Sequence, residues 1–169
     1  MELDDEQLER LRLGAITAID GLWFLAAEER LGFEAAFELD LEVWKRYGPV
    51  QLRRVARKLE ITLSEEDPPD LQTVNMLMEQ LCRIDGTTCA WEMTGPAEAR
   101  FDVLRCPWWE NLRRSSREDV VDCEFVDNTI FLHWLDSVNP AVRMEITRSL
   151  PRGDDHCSWR LWVEGTLEK

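Results

Sequence analysis

Only two histidines, one tyrosine and eight glycines occur in the 169 residues. The glycines form no Gly-x-Gly-x-x-Gly turn, no Gly-Lys-Ser/Thr phosphate loop and no Gly-x-Ser-x-Gly elbow, which removes dinucleotide binding, nucleotide hydrolysis and the α/β-hydrolase serine from consideration. The His-Glu-x-x-His zinc helix and the calcium loop are absent as well. Basic side chains are scarce: 20 Lys and Arg stand against 34 Asp and Glu, a formal charge of -14 at pH 7. A surface so acidic repels phosphate backbones, so no nucleic-acid partner is expected. No apolar run approaches the roughly 18–20 residues of a membrane span, so no membrane partner is expected either. The opening Met1-Glu2-Leu3-Asp4-Asp5-Glu6 is acidic where a secretion signal would be basic. With an odd count of five cysteines, this predicts a cytoplasmic chain carrying free thiols.

What is plentiful is apolar and aromatic material: 44% hydrophobic residues, with eight Trp and six Phe, enough to build a packed core. The first sixty residues read as helix. Leu8, Leu11, Ala15, Ile19, Leu22, Trp23 and Ala26 recur at spacings of three and four, predicting an amphipathic helix that buries this stripe and stops at Gly32. A second helix from about Glu34 turns Ala36, Phe37, Leu41 and Trp44 inward. Gly48-Pro49 is expected to close it and to open a third helix through Leu52, Val55 and Ala56, with Arg53, Arg54, Arg57 and Lys58 as a solvated face. Ser64 to Asp70, with two prolines and four acids, predicts a loop. A further helix runs from about Leu71 to Arg83.

After Asp85-Gly86 the period changes from helical to alternating. Thr88 to Thr94 puts Cys89, Trp91 and Met93 on one face, and Ala99 to Arg105 alternates again beyond Gly95-Pro96, a hairpin pattern. Pro107-Trp108-Trp109-Glu110 opens a short helix. The stretch from Val120 to Val138 is helical in its second half and stops at Asn139-Pro140. Val142 to Leu150 and Ser158 to Gly165 read as two more strands. The fold class is α+β: a helical N-terminal half on a small, mainly antiparallel sheet, within one domain over residues 1–169 (a helical segment over 1–63, a loop over 64–70 and an α+β segment over 71–169).

The cysteine gaps are 7, 17, 17 and 34 residues, without a Cys-x-x-Cys knuckle. Cys82 and Cys89 read as core residues of a helix and a strand. Cys106, Cys123 and Cys157 each lie at the edge of an element, where ligand sites are commonly built. His133, beside Trp134, reads as a hydrogen-bonded core histidine. His156, in Gly153-Asp154-Asp155-His156-Cys157, is the candidate base for a thiol of Cys106, Cys123 or Cys157, with Cys106 or Cys157 as nucleophile and Asp154 or Asp155 orienting the imidazole. The same three edge cysteines, with His156, are the candidates for holding zinc or iron. Cys123, Trp91, Trp108 and Trp159 are the candidate walls of a small-molecule pocket. Trp159, Leu161 and Val163 share a strand face with Cys157, so that thiol is expected to point inward. Trp162, on the opposite face, is available to a second copy, which is compatible with a homodimer.

Gly21-Leu22-Trp23-Phe24, Glu28-Glu29-Arg30-Leu31-Gly32 and Leu39-Asp40-x-x-Val43-Trp44 resemble the start of a group of bacterial and archaeal cytosolic proteins. Cys106-Pro107, Cys123, Asn139-Pro140 and Leu150-Pro151 leading to Cys157-Ser158-Trp159 resemble its second half. That group is related to the L-2-amino-thiazoline-4-carboxylic acid hydrolase family. The ending Gly153-Asp154-Asp155-His156-Cys157-Ser158-Trp159 is similar in that family and, more distantly, in vinyl-reductase-type ligand domains. The resemblance implies a helix-covered sheet with a pocket near the cysteines, and hydrolysis of a small amide- or thiazoline-like molecule. A ligand- or metal-binding module without turnover, and a structural protein acting through self-association, are the alternatives.

Overall fold

The alternating segments form one antiparallel sheet. In the computed structural model, which describes residues 2–165, β1 (Thr88–Gly95) and β2 (Glu98–Arg105) make the hairpin, with Trp91 opposite Phe101. β4 (Cys157–Val163) pairs with β2 and β3 (Val142–Arg148) pairs with β4, giving the order β1-β2-β4-β3. Every second residue of the central strands faces the helices: Ala99, Phe101 and Val103 from β2, and Cys157, Trp159 and Leu161 from β4, are all at most 5% exposed. The helices are α1 (Asp5–Leu31), α2 (Phe33–Lys58), α3 (Leu71–Ile84), α4 (Pro107–Arg114) and α5 (Cys123–Asp136). The architecture is α+β, with most of the helix in the N-terminal half.

α3 follows its sequence pattern closely. Asp70 caps it by accepting the Thr73 N–H at 2.8 Å, and Val74, Leu77 and Leu81 are fully buried. Residues 61–70 form a loop, as two prolines and four acids require.

Three local expectations are corrected. The stripe Leu8, Leu11, Ala15, Ile19, Leu22, Trp23 and Ala26 of α1 does not face the core: Leu11, Ile19 and Leu22 are 60–66% exposed, and Thr17 is the buried residue of the helix. A competing set at the same spacing, Leu13, Ile16, Thr17, Asp20, Phe24 and Glu28, faces the protein instead. Polar contacts explain that choice. Asp20 accepts the indole N–H of Trp44 at 2.9 Å, and Glu28 pairs with Arg117 at 2.7 Å. Turning the outer stripe inward would break both. His133, expected in the core, is on the exposed side of α5.

The third correction concerns Gly48-Pro49, which does not end a helix: α2 runs unbroken through it to Lys58. Pro49 lacks an N–H and removes one bond of the helical ladder. At the same turn Trp134 Nε1 donates to the Trp44 carbonyl at 2.8 Å, which ties α5 to this part of α2. Gly48 serves this approach. A Cβ placed there would lie 2.2 Å from Trp134 Nε1, inside the ring's own volume. The glycine is therefore a packing requirement between α2 and α5. Gly48→Ala should lower stability by about 1–3 kcal/mol through overpacking, despite a helix-propensity gain of about 1 kcal/mol. Urea denaturation checks this; an unchanged midpoint would show that Trp134 does not need the space.

Candidate active site

Three short-range features bring the edge cysteines together. Cys106 leaves β2 in an extended conformation and caps α4, its sulfur accepting the Trp109 N–H at 3.4 Å while Pro107 takes the first helical turn. Cys123 opens α5 behind its cap Asp122, and Asp127 follows one turn later on the same side. Cys157 begins β4 facing inward, where its sulfur accepts the Leu150 N–H at 3.4 Å. All four groups stand on the wall of one cavity of about 570 Å³, between the sheet and helices α1, α2, α4 and α5. Trp108 and Trp159 line it, as do Trp44, Phe131 and Trp134, making it an aromatic chamber. The exposed Leu22 and Leu25 also belong to its wall and stand at its rim.

The chamber's low polarity governs its chemistry. Asp127 accepts no hydrogen bond there, and burial, with the Glu124 charge second, pushes its carboxyl up to about 7. Burial also raises the thiols. Cys106 is pushed up to about 12, with the Asp127 charge adding to burial and the Trp109 N–H opposing it. Cys157 rises to about 11, with the Leu150 N–H opposing burial. Cys123 moves upward too, first by burial and then by Asp127, without a backbone donor to offset them. The resting thiols are therefore protonated at neutral pH, and the nearest group able to take a proton there is Asp127. Trp159 Nε1, on a side chain only 2% exposed, is buried without a hydrogen-bond partner. The same wall thus carries a carboxyl with no hydrogen bond from the protein and a buried indole N–H without a partner.

The histidine component of the expected constellation lies elsewhere. His156 precedes Cys157 in the chain, and the alternation of β4 puts its ring on the other side. Its Nδ1 meets Asp155 at 2.7 Å and its Nε2 faces Asp102 at 3.7 Å. Asp154 accepts the Ser149 N–H at 2.8 Å and holds the turn before β4. Neither residue belongs to the cavity wall, so a Cys–His–Asp arrangement of Cys106 or Cys157 with His156 and Asp154 is not assembled. Trp91 is also outside the cavity, its indole N–H donating to Glu79 at 3.0 Å. Among the described residues no group of three or more His, Cys, Asp or Glu is arranged to hold a metal ion, and His156 is separated from the three thiols, so the zinc or iron candidates do not fit a metal centre.

Sequence reasoning missed the carboxyls. Asp127 lies four residues after Cys123, between Val126 and Asn128, and nothing local sets it apart from the other acids. Asp20 and Asp40, both on the cavity wall, were lost among so many acids. Cys82, read as a core residue, is 4% exposed and also touches the cavity.

Raising Asp127 from 3.8 to about 7 has a signed consequence. Between those values the folded protein holds a proton that the unfolded chain has released, so this group's contribution is complete below about pH 4 and is lost as pH rises through 7. The loss is on the order of 4 kcal/mol. Asp127→Asn removes it. The stability difference should therefore shift in the variant's favour between pH 4 and pH 8, checked by thermal melts at both. A difference independent of pH would show that Asp127 titrates normally.

No curated protein matches the chain. Among solved structures, a trafficking protein particle complex subunit 3 from Naegleria fowleri, covalently bound to palmitic acid, is similar with a TM-score of 0.57. The identity is 13%, over 92% of this chain and 96% of that one, a likeness of fold. Among the described residues no helix is long and apolar enough to cross a membrane. The family model for L-2-amino-thiazoline-4-carboxylic acid hydrolase matches residues 13–161, which is most of the chain, and the protein belongs to that family.

Proposed function

We propose that this chain hydrolyses a small amide- or thiazoline-like molecule in the aromatic chamber, with Cys106 or Cys157 as nucleophile and Asp127 as the acid–base group. The observation that carries this reading is that three thiols and a carboxyl with no hydrogen bond from the protein stand on the wall of one apolar chamber. A carboxyl near 7 is suited to accepting a proton during attack and returning it to the leaving nitrogen. The thiols near 11 and 12 lie four to five pKa units above it, roughly 5–7 kcal/mol that the reaction must offset. Two features reduce that cost. Proton transfer neutralises Asp127 and so removes its repulsion of the forming thiolate, and the Trp109 and Leu150 N–H groups already point at the two sulfurs. Cys123 has no such donor and is assigned to the wall.

Purified protein supplied with L-2-amino-thiazoline-4-carboxylic acid tests this. Asp127→Asn should lower turnover by about 10²-fold or more, and Ser at one of positions 106 and 157 should abolish it, while Cys123→Ser retains most of it. Full activity in Asp127→Asn would remove the mechanism. Loss in that variant with both serine variants active would make water the nucleophile.

The apolar character of the chamber favours a second reading. Its volume and its thiols also suit an acyl chain held as a thioester, formed by transfer from an acyl-thioester donor whose own thiol leaves, in keeping with the palmitic acid on the structurally similar subunit. Intact-mass analysis of freshly purified protein separates the two. A hydroxylamine-sensitive adduct on a cavity cysteine supports the acyl reading, and unmodified thiols throughout leave the hydrolase.

A further inference from the structure

The same chamber carries a second polar centre, built from different elements. Asp20 of α1 accepts Trp44 Nε1 at 2.9 Å on one oxygen and Trp108 Nε1 at 3.2 Å on the other. Asp40 of α2 stands within hydrogen-bonding reach of Asp20, and its Oδ1 is buried with no partner in the protein. Two indole N–H groups aimed at one carboxylate hold it in place and leave its charge largely unneutralised. The wall contains one basic side chain among its described residues, Arg117, already paired with Glu28 at 2.7 Å and lying over the Phe24 ring. Nothing in the protein supplies the cation that two adjacent carboxyls call for. The unpartnered indole N–H of Trp159, on a nearly fully buried side chain, independently marks the same chamber as incomplete without a ligand.

We propose that the Asp20–Asp40 pair binds an organic cation, an ammonium group on an apolar body, with the charge against the two carboxyls and the body in the aromatic chamber. Opposite charge in a low-dielectric chamber gives the affinity, and the apolar wall takes the body. Burial, with the adjacent Asp20 charge second, raises Asp40 to about 7, so near neutral pH the pair is partly protonated. The arriving ammonium takes that proton's place, and the proton leaves to solvent. The other titratable groups facing the chamber are Asp85, which already accepts Tyr47 Oη at 2.5 Å, Asp127, and the thiols of Cys82, Cys106, Cys123 and Cys157. This inference rests on the chamber being a ligand site and not on hydrolysis.

Phenethylamine is the probe, with phenethyl alcohol as its neutral analogue and 3-phenylpropanoate as its anionic one. Calorimetric titration near pH 7, in buffers of different ionisation enthalpy, reads both affinity and protons released. The amine should bind at least about tenfold more tightly than either analogue and release about half a proton at pH 7, where Asp40 titrates. Asp40→Asn and Asp20→Asn should each weaken amine binding by about tenfold or more and abolish proton release, leaving alcohol binding nearly unchanged. Asp127→Asn should leave amine affinity unaltered even where it removes turnover, which separates failure of the hydrolase from failure of this site. Equal binding of amine and alcohol, or no binding of the amine, overturns the proposal with the wild-type protein alone. Loss of amine binding in Asp127→Asn, with retention in both other variants, overturns the placement.

Discussion

An interior left unfilled by its own side chains is the constraint on which this protein's chemistry depends. The sheet and α3 pack conventionally, but between the sheet and the helices α1, α2, α4 and α5 the aromatic residues line a chamber instead of closing it. Low polarity in that space lifts Asp127 toward neutrality and keeps the thiols protonated. Charge separation there is costly until a ligand supplies the missing partner. The same reasoning makes the unpaired atoms informative: Trp159 Nε1 and Asp40 Oδ1 lack partners inside the protein and both belong to chamber residues.

The chamber is held open by contacts between helices. Trp134 rests in the gap left by Gly48 and bonds the Trp44 carbonyl, so α5 is fixed against α2. Trp44 and Trp108 meet edge to face at 5.2 Å and both donate to Asp20, so α2, α4 and α1 converge on a single carboxylate. α4 links the two polar centres, since Cys106 caps it and Trp108 lies in its first turn.

Much of this was legible in the sequence. The alternation around Cys89 to Met93 and Ala99 to Val103, the stop at Asn139-Pro140 and the inward direction of Cys157 all follow from period and turn chemistry. Cys106, Cys123 and Cys157 were marked out by their place at element edges, while their common cavity depends on tertiary packing absent from any local pattern. The failures have physical causes. α1 carries two stripes of similar spacing, and the tertiary bonds of Asp20 and Glu28 choose the less apolar one. Gly48-Pro49 has the composition of a break, yet its glycine answers a long-range contact with Trp134, 86 positions away, that no local pattern displays. His156 was expected to reach a thiol across the site, but its ring is held between Asp155 and Asp102, away from the cavity wall. Asp127 was overlooked because a carboxyl among 34 acids has no local mark of burial.

Direct titration of Asp127 tests the central claim, that the chamber holds an acid–base group poised near neutrality among thiols. Carbon-13 NMR of side-chain carboxyls, assigned by comparison with Asp127→Asn, gives its midpoint without reference to any substrate. A midpoint close to 7 is predicted. A midpoint near the ordinary 3.8 would mean that water solvates the carboxyl freely, and the chamber would not be the low-polarity site on which this account rests.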